Sequence, residues 1–185
     1  DGWPKDKFSF EKPGSISVRG AFLNYAEIWQ QRAFLQKLFW NDYSKQFSEN
    51  YPQKKLIIGF RSFLSEKRPE WASSHAYYER ALIRVLKPHH SIHVFGEKKG
   101  LQNFTEFLRP LIGKTRSLMI WPGERDVQMT SKHLEYMMTG TDFILCKSTF
   151  HVWGAILSKS SGVITFDLTS NWQPLWQTPS SWIGI

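Results

Sequence analysis

The chain has 185 residues, of which 41% are hydrophobic and 16% aromatic, and a formal net charge of +8. This length fits one domain, and the apolar content excludes a disordered chain. No apolar run reaches the roughly 18 to 20 residues that a membrane-spanning helix needs, so no such helix is predicted within these residues.

Charge and cysteine content limit the partners and the redox chemistry. A net charge of +8 favours an anionic partner, such as nucleic acid, an acidic membrane face or a phosphorylated small molecule, or is simply a soluble basic surface. The one cysteine, Cys146, excludes an intramolecular disulfide, and no clustered Cys and His predict a zinc site. No metal is therefore expected.

The first 50 residues are predicted to form a loop followed by a long helix that packs on the core. Residues 1–20 mix Pro, Gly, Lys and Asp, which indicates a loop or linker. Apolar residues then recur at helical spacing from Ala21 to about Phe47 without internal Pro or Gly, which predicts a long amphipathic helix.

Residues 51–185 alternate between short apolar runs and helical stretches. The predicted strands are 56–60, 91–96, 117–121, 142–146 and 162–166. The predicted helices are 74–86 with Ser74 as N-cap, a short one broken near Pro110, 131–138, and one through STFHVWGAILS. This alternation predicts an α/β fold with a doubly wound, Rossmann-like parallel sheet whose continuous apolar strands are buried on both faces.

Ligands of open parallel sheets bind beyond the carboxyl ends of the strands, which gives a short set of candidate residues. Arg61 follows the first strand, and its planar guanidinium suits a pyrophosphate, although a solvated arginine is equally consistent with the sequence. Glu97 and Lys98 follow the second strand. Ser148 and Thr149 open a helix after the fourth strand, where they would either bind a phosphate or merely cap the helix.

Several common catalytic motifs are absent from the sequence. It has no G-x-S-x-G elbow, Walker A pattern or G-x-G-x-x-G, which argues against common hydrolases, P-loop NTPases and NAD enzymes. It also has no Asp-x-Asp, so a leaving diphosphate would be neutralised by arginine, lysine and helix-dipole donors. The histidines are dispersed, and His133 and His151 are expected to be structural.

The segment TDFILCKSTFHVWGAILS resembles the alpha-1,2-fucosyltransferase family (glycosyltransferase family 11), in which an apolar strand leads into S-S/T-F-x-W-W-G-A-x-L. Ser148, Thr149, Phe150 and Trp153 fit that pattern, while Val152 replaces its first Trp. The segments HVFGEKKGLQNF, HAYYERAL and GAFLNYAEIW are similar to three further family segments. The sequence as a whole, as far as NWQPLWQTP, is most similar to divergent nematode members of the family.

One departure from the family concerns its H-x-R-R-x-D motif. At that point the chain has Gly59-Phe60-Arg61-Ser62-Phe63-Leu64, so only the first arginine, which in the family grips the donor phosphates, is matched by Arg61. The histidine, the second arginine and the aspartate are absent.

The resemblance implies the donor-binding half of a GT-B glycosyltransferase that transfers fucose from GDP-fucose to a glycan hydroxyl, with inversion and without a metal or other cofactor. Arg61, Glu97, Lys98, Ser148, Thr149 and Phe150 are then expected to bind the donor, with Arg61 also acting in catalysis. Glu66 and Glu70 are the carboxylates nearest Arg61 in sequence, and Glu66 is the candidate base. The resemblance also implies a type II membrane protein of the Golgi lumen, anchored only outside this chain. In that compartment Asn103 of Asn103-Phe104-Thr105 would be a glycosylation acceptor.

Two alternatives remain open at this stage. The loss of the three motif residues favours a degenerate transferase that binds nucleotide or glycan without transfer. The charge and aromatic content favour a nucleic-acid-binding protein, although no nucleic-acid motif accompanies them, and no nucleic-acid partner is expected.

Overall fold

The computed structural model describes residues 7–12, 15–19, 25–40, 54–65, 67–123, 127–158, 162–168 and 178–185, and only the backbone before residue 25. The strands are β1 Lys7–Lys12, β2 Ser15–Arg19, β3 Lys55–Phe60, β4 Ser91–Glu97, β5 Leu118–Gly123, β6 Asp142–Ile144, β7 Ile164–Phe166 and β8 Ile183–Gly184. The helices are α1 Tyr25–Gln30, α2 Arg32–Phe39, α3 His75–Val85, α4 Lys98–Ile112, α5 Val127–Met137 and α6 Thr149–Leu157, with one 3-10 turn at Pro69–Trp71.

Six strands form one parallel sheet in the order β5-β4-β3-β6-β7-β8. Counted from β3, this order is 3-2-1-4-5-6, which is the Rossmann order. The chain reverses its direction of winding between β3 and β6, and the carboxyl ends of these two strands are therefore the expected ligand site. The predicted α/β, Rossmann-like sheet is confirmed.

Helices cover both faces of the sheet and bury one apolar core on each side. The first core joins α3 and α4 to side chains of β3 and β4, with Tyr77, Leu82 and Phe104 among its buried members. The second joins α1, α5 and α6 to the opposite face, with Tyr25 and Val152 among its buried members. Consecutive residues of β3 point to opposite faces of the sheet, so Leu56 belongs to the first core and Ile57 to the second.

The N-terminal residues differ from the prediction. Instead of a loop through residue 20, β1 and β2 pair antiparallel as a separate two-stranded sheet. The predicted long helix is interrupted at Gln31, between α1 and α2, and residues 41–53 lie outside the described ranges. The Arg32 and Gln36 side chains of α2 donate to the Ser158 carbonyl, and Trp29 of α1 meets Trp182 edge to face.

Two further predictions about the sheet region need correction. The α4 helix does not break near Pro110, which lies in its last turn, where the helix ends only two residues later. Strand β5 is not buried on both faces, because it is an edge strand with Met119 42% and Ile120 47% exposed. None of the helices in the described ranges has both the length and the apolar content that crossing a membrane requires.

Candidate functional site

A cleft of about 180 Å³ opens at the carboxyl ends of β3, β4 and β5, beside the start of α6. Its lining residues are Phe60, Arg61, Phe95, Gly96, Glu97, Trp121, Gly123, His133, Ser148, Phe150 and His151. The strand register produces this convergence, since Phe60 lies opposite Gly96 and Glu97 opposite Gly123. The cleft therefore occupies the position at which open α/β sheets bind ligands.

Arg61 follows directly after β3 and is half-buried at the cleft wall. Its guanidinium carbon lies 4.5 Å from the centre of the Phe63 ring, a cation–π distance. The Phe63 backbone adopts φ 53°, a left-handed conformation that is unusual for a bulky residue. The segment after β3 thus fixes a cation at the mouth of the cleft.

The start of α6 provides backbone donors at the same cleft. Ser148 is the N-cap residue, only 6% exposed, and its side chain makes no capping hydrogen bond. Its own N–H donates to the Cys146 carbonyl at 2.7 Å. The first N–H groups of a helix have no intrahelical partner and attract anions, so this helix start and Arg61 together favour a negatively charged ligand.

Beneath the cleft, Cys146 and His151 form a buried pair with 3.0 Å between Sγ and Nδ1. Burial, reinforced by the nearby Arg61 charge, lowers the pKa of His151 to about 4, even though a hydrogen bond to the Phe95 backbone opposes the shift. Burial also raises the pKa of the Cys146 thiol. Near pH 7 Cys146 is therefore a neutral thiol and not a thiolate nucleophile, and His151 is a neutral imidazole whose low pKa makes it a weak base. Both properties suit the structural role expected for His151.

Gly59 permits this arrangement. A Cβ atom at Gly59 would lie 2.8 Å from Cγ and Nδ1 of His151, closer than any ordinary contact. Gly59 also stands where the fucosyltransferase motif has its histidine, and the His151 ring fills the space in which such a side chain would begin.

We expect Gly59→Ala to destabilise the fold by about 2 kcal/mol, because the added methyl group must displace His151 or β3. Denaturant-induced unfolding measures this loss. In a double variant with His151→Ala the combined loss should be smaller than the sum of the single losses, since the clash is then relieved. Strictly additive losses would contradict the contact.

Two tyrosines of α3 hold the strand ends that flank the switch point. The Tyr78 hydroxyl donates to the Gly59 carbonyl at 2.9 Å, and the Tyr77 hydroxyl donates to the Leu145 carbonyl at 2.6 Å. Both rings are buried, and the Ser74 hydroxyl accepts the Tyr77 N–H as the predicted N-cap. The tyrosine pair of HAYYERAL therefore holds the carboxyl ends of β3 and β6 through hydrogen bonds to their backbone.

Four of the predicted donor-binding residues share the cleft: Arg61, Glu97, Ser148 and Phe150. Lys98 and Thr149 are exposed and are not among the residues that line it.

The other predicted residues lie elsewhere. The candidate base Glu66 lies outside the described residues, and Glu70 is exposed and paired with Arg68 at 3.6 Å. Asn103 is exposed within α4, and the hydroxyl of the neighbouring Thr105 donates to the Gln102 carbonyl at 2.7 Å. A glycosylation site at Asn103 stays a prediction.

Sequence reasoning missed the aromatic part of the cleft. Phe95 and Trp121 stack with ring centres 5.3 Å apart and planes 8° apart, and His133 of α5 meets both edge to face. Trp121 could have been found from its position in the sequence, because it lies near the carboxyl end of the third strand of the sheet. The polar residues 124–126, which follow that strand in the sequence, lie outside the described ranges.

The fold and the site together define a Rossmann-like domain with an anion-favouring cleft at its switch point. Among solved structures, the chain is similar to ADP-heptose LPS heptosyltransferase II from E. coli, with a TM-score of 0.52 and 14% sequence identity. The match covers 78% of this chain and 42% of the heptosyltransferase, and at this identity it establishes the fold. Neither the protein-family models nor the curated proteins give a match.

Proposed function

We propose that this chain is the nucleotide-sugar-binding part of a glycosyltransferase. The observation that supports this most is the cleft itself, which places Arg61 and the start of α6 on one rim at the switch point of the sheet. A sugar transferase with the same fold, the heptosyltransferase, adds support for this class. The chain spans 42% of that enzyme, so the acceptor glycan is expected to contact surfaces that this chain does not provide alone.

The donor diphosphate would bind between Arg61 and the first turn of α6. The guanidinium offers paired N–H donors, and the helix start adds backbone N–H groups and the positive end of the helix dipole. The Ser148 hydroxyl, which makes no capping bond, is available as a further donor. These groups would stabilise the negative charge that develops on the leaving diphosphate when the sugar is transferred, without requiring a metal.

The finer assignment is a fucosyltransferase that uses GDP-fucose by an inverting mechanism and resides in the Golgi lumen as part of an anchored type II protein. It is supported by the residues from Cys146 to Ser158, whose strand-to-helix pattern resembles the alpha-1,2-fucosyltransferases and forms one wall of the cleft. An acceptor hydroxyl also requires a base, and Glu66 is the sequence candidate for it.

The second candidate function is a degenerate transferase that binds the nucleotide without transfer. Two positions of the H-x-R-R-x-D motif favour it. Where the family has its second arginine this chain has Ser62, which bonds to Glu97, and where the family has its aspartate this chain has the exposed Leu64. Neither side chain replaces the charge of the family residue at that position.

Calorimetric titration of the chain with GDP, ADP and UDP tests the proposal. We expect GDP to bind and to bind more tightly than the other two, because the sequence resemblance implies a guanine nucleotide. Preference for ADP would retain the glycosyltransferase class and overturn the fucose assignment. No binding of any of the three to a folded chain would contradict the proposed function. Binding of GDP with neither transfer nor hydrolysis of GDP-fucose would favour the degenerate transferase.

A further inference from the structure

The Glu97 carboxylate is directed towards the segment that follows β3. Its Oε2 accepts the Ser62 N–H at 3.2 Å and the Ser62 hydroxyl at 2.6 Å, and its Oε1 accepts the Ser65 hydroxyl. Both carboxylate oxygens are thus bonded to the segment that begins at Arg61, whose described residues 61–65, 67 and 68 are named here the Arg61 loop. Glu97 itself is placed by β4, the strand that pairs with β3 in register.

The Arg61 loop has a backbone that needs external support. Phe63 and Lys67 adopt φ values of 53° and 57°, in the left-handed region that non-glycine residues rarely occupy. Such conformations persist where the surroundings over-determine them. Phe63 is only 2% exposed, and its ring contacts the Arg61 guanidinium, so the loop conformation and the position of the cation are linked.

The start of α4 supports the same loop. Gly100 adopts φ 83°, and a Cβ atom there would lie 3.3 Å from the Ser62 Cβ, which shows how closely the two backbones approach. The Ser62 hydroxyl also accepts the Leu64 N–H at 3.3 Å, which joins the Glu97 contact to the next turn of the loop. Ser62 therefore links the Arg61 loop to the end of β4 through hydrogen bonds.

Charge argues against direct contact between Glu97 and a diphosphate. An ionised carboxylate facing a phosphate at short range would repel it, whereas a carboxylate that accepts three hydrogen bonds has its charge directed into the loop. Partial burial acts to raise the pKa of Glu97, but those same bonds together outweigh it and lower the pKa, so the carboxylate remains the ionised acceptor that the serines require.

We propose that Glu97 is a positioning residue, which fixes the Arg61 loop and thereby holds the guanidinium at the cleft that the start of α6 also lines, and that it does not itself contact the donor diphosphate. The proposal rests on the proposed function, because the ligand of the Arg61 guanidinium is taken to be the donor diphosphate.

Two variants separate positioning from direct contact. Glu97→Ala removes the acceptor, whereas the double variant Ser62→Ala with Ser65→Ala removes the two hydroxyl donors and leaves the carboxylate in the cleft. We expect each to weaken GDP binding by about tenfold and to increase amide hydrogen exchange in the Arg61 loop. Glu97→Gln keeps one good acceptor oxygen and should have an intermediate affinity. A double serine variant that binds GDP as tightly as wild type, beside a weakened Glu97→Ala, would overturn the proposal in favour of direct contact.

A matched control is Asp142→Asn, which weakens buried contacts at the opposite end of the sheet from the cleft. It should lower stability without changing GDP affinity, so general destabilisation is distinguished from loss of positioning. If the loop amides exchange faster in Glu97→Ala and in the double serine variant while GDP affinity is unchanged, the positioning role of Glu97 is wrong and the proposed donor site is retained. If the folded wild-type chain binds no nucleoside diphosphate, the proposed function and this proposal both fail.

Discussion

In the Arg61→Ala variant we expect GDP affinity to fall about a hundredfold. The half-buried guanidinium is placed at the cleft rim by β3 and by the Phe63 ring, 4.5 Å away, and the anion-favouring start of α6 lines the same cleft. Without it, the diphosphate would keep the helix N–H groups and lose the one arginine among the described residues that line the cleft. Isothermal titration with GDP measures the change directly.

Arg84→Ala is the matched control for Arg61→Ala. Arg84 is an exposed arginine on α3 that lines a different groove beside β8, so its removal changes net charge equally and should leave GDP affinity within a factor of about two. Arg61→Lys should recover part of the binding, because it restores the charge without the planar pair of donors. Equal affinities in wild type and Arg61→Ala would refute the assignment of Arg61 to the diphosphate.

Arg61→Ala also has a readout that needs no ligand. The Arg61 charge is the second cause, after burial, of the pKa of about 4 at His151. Removing that charge should raise the pKa of His151, which NMR titration of the imidazole would show, and burial should still hold it below its ordinary value.

Local sequence pattern predicted five of the six strands of the central sheet, because each of those five contains a short apolar run. The Ser74 cap was predictable for the same reason, since it depends on residues three apart. Strand β8 was missed because Ile183–Gly184 is too short to show a period and forms only through pairing with β7. The exposure of β5 follows from its place at the sheet edge, which composition does not encode.

The candidate site was predictable to the extent that a topological rule defined it. Once the strands are assigned, the rule brings Arg61 and Ser148 to the same rim of the sheet, and the structure places both in one cleft. The partners of Glu97 were not predictable, because Ser62 lies 35 positions away and the contact depends on strand register. The contact of His151 with Gly59 likewise arises only when α6 packs on β3.

At the opposite end of the sheet, Asp142 provides the second large expected effect, which concerns stability. Its carboxylate, 2% exposed, accepts the Val163 N–H at 2.8 Å and lies 3.0 Å from His90 Nε2 and 3.1 Å from Lys87 Nζ. These groups join the start of β6 to the loop before β4 and to the strand β7 that follows. Asp142→Ala should lower the free energy of unfolding by about 3 kcal/mol at pH 7, because it leaves buried polar partners uncompensated.

The pH dependence of Asp142 has a defined sign. Burial raises its pKa, but the hydrogen bonds from His90, Val163 and Lys87 outweigh that and hold the pKa well below its ordinary value. A carboxyl group whose folded pKa is depressed stabilises the fold above its unfolded pKa of about 4 and loses that contribution as the pH falls further. The difference in unfolding free energy between wild type and Asp142→Asn should therefore be largest near pH 7 and narrow below about pH 4. Denaturant unfolding at a series of pH values measures it, and a difference that stays constant down to pH 2 would show that the ionised carboxylate does not hold β6 to its neighbours.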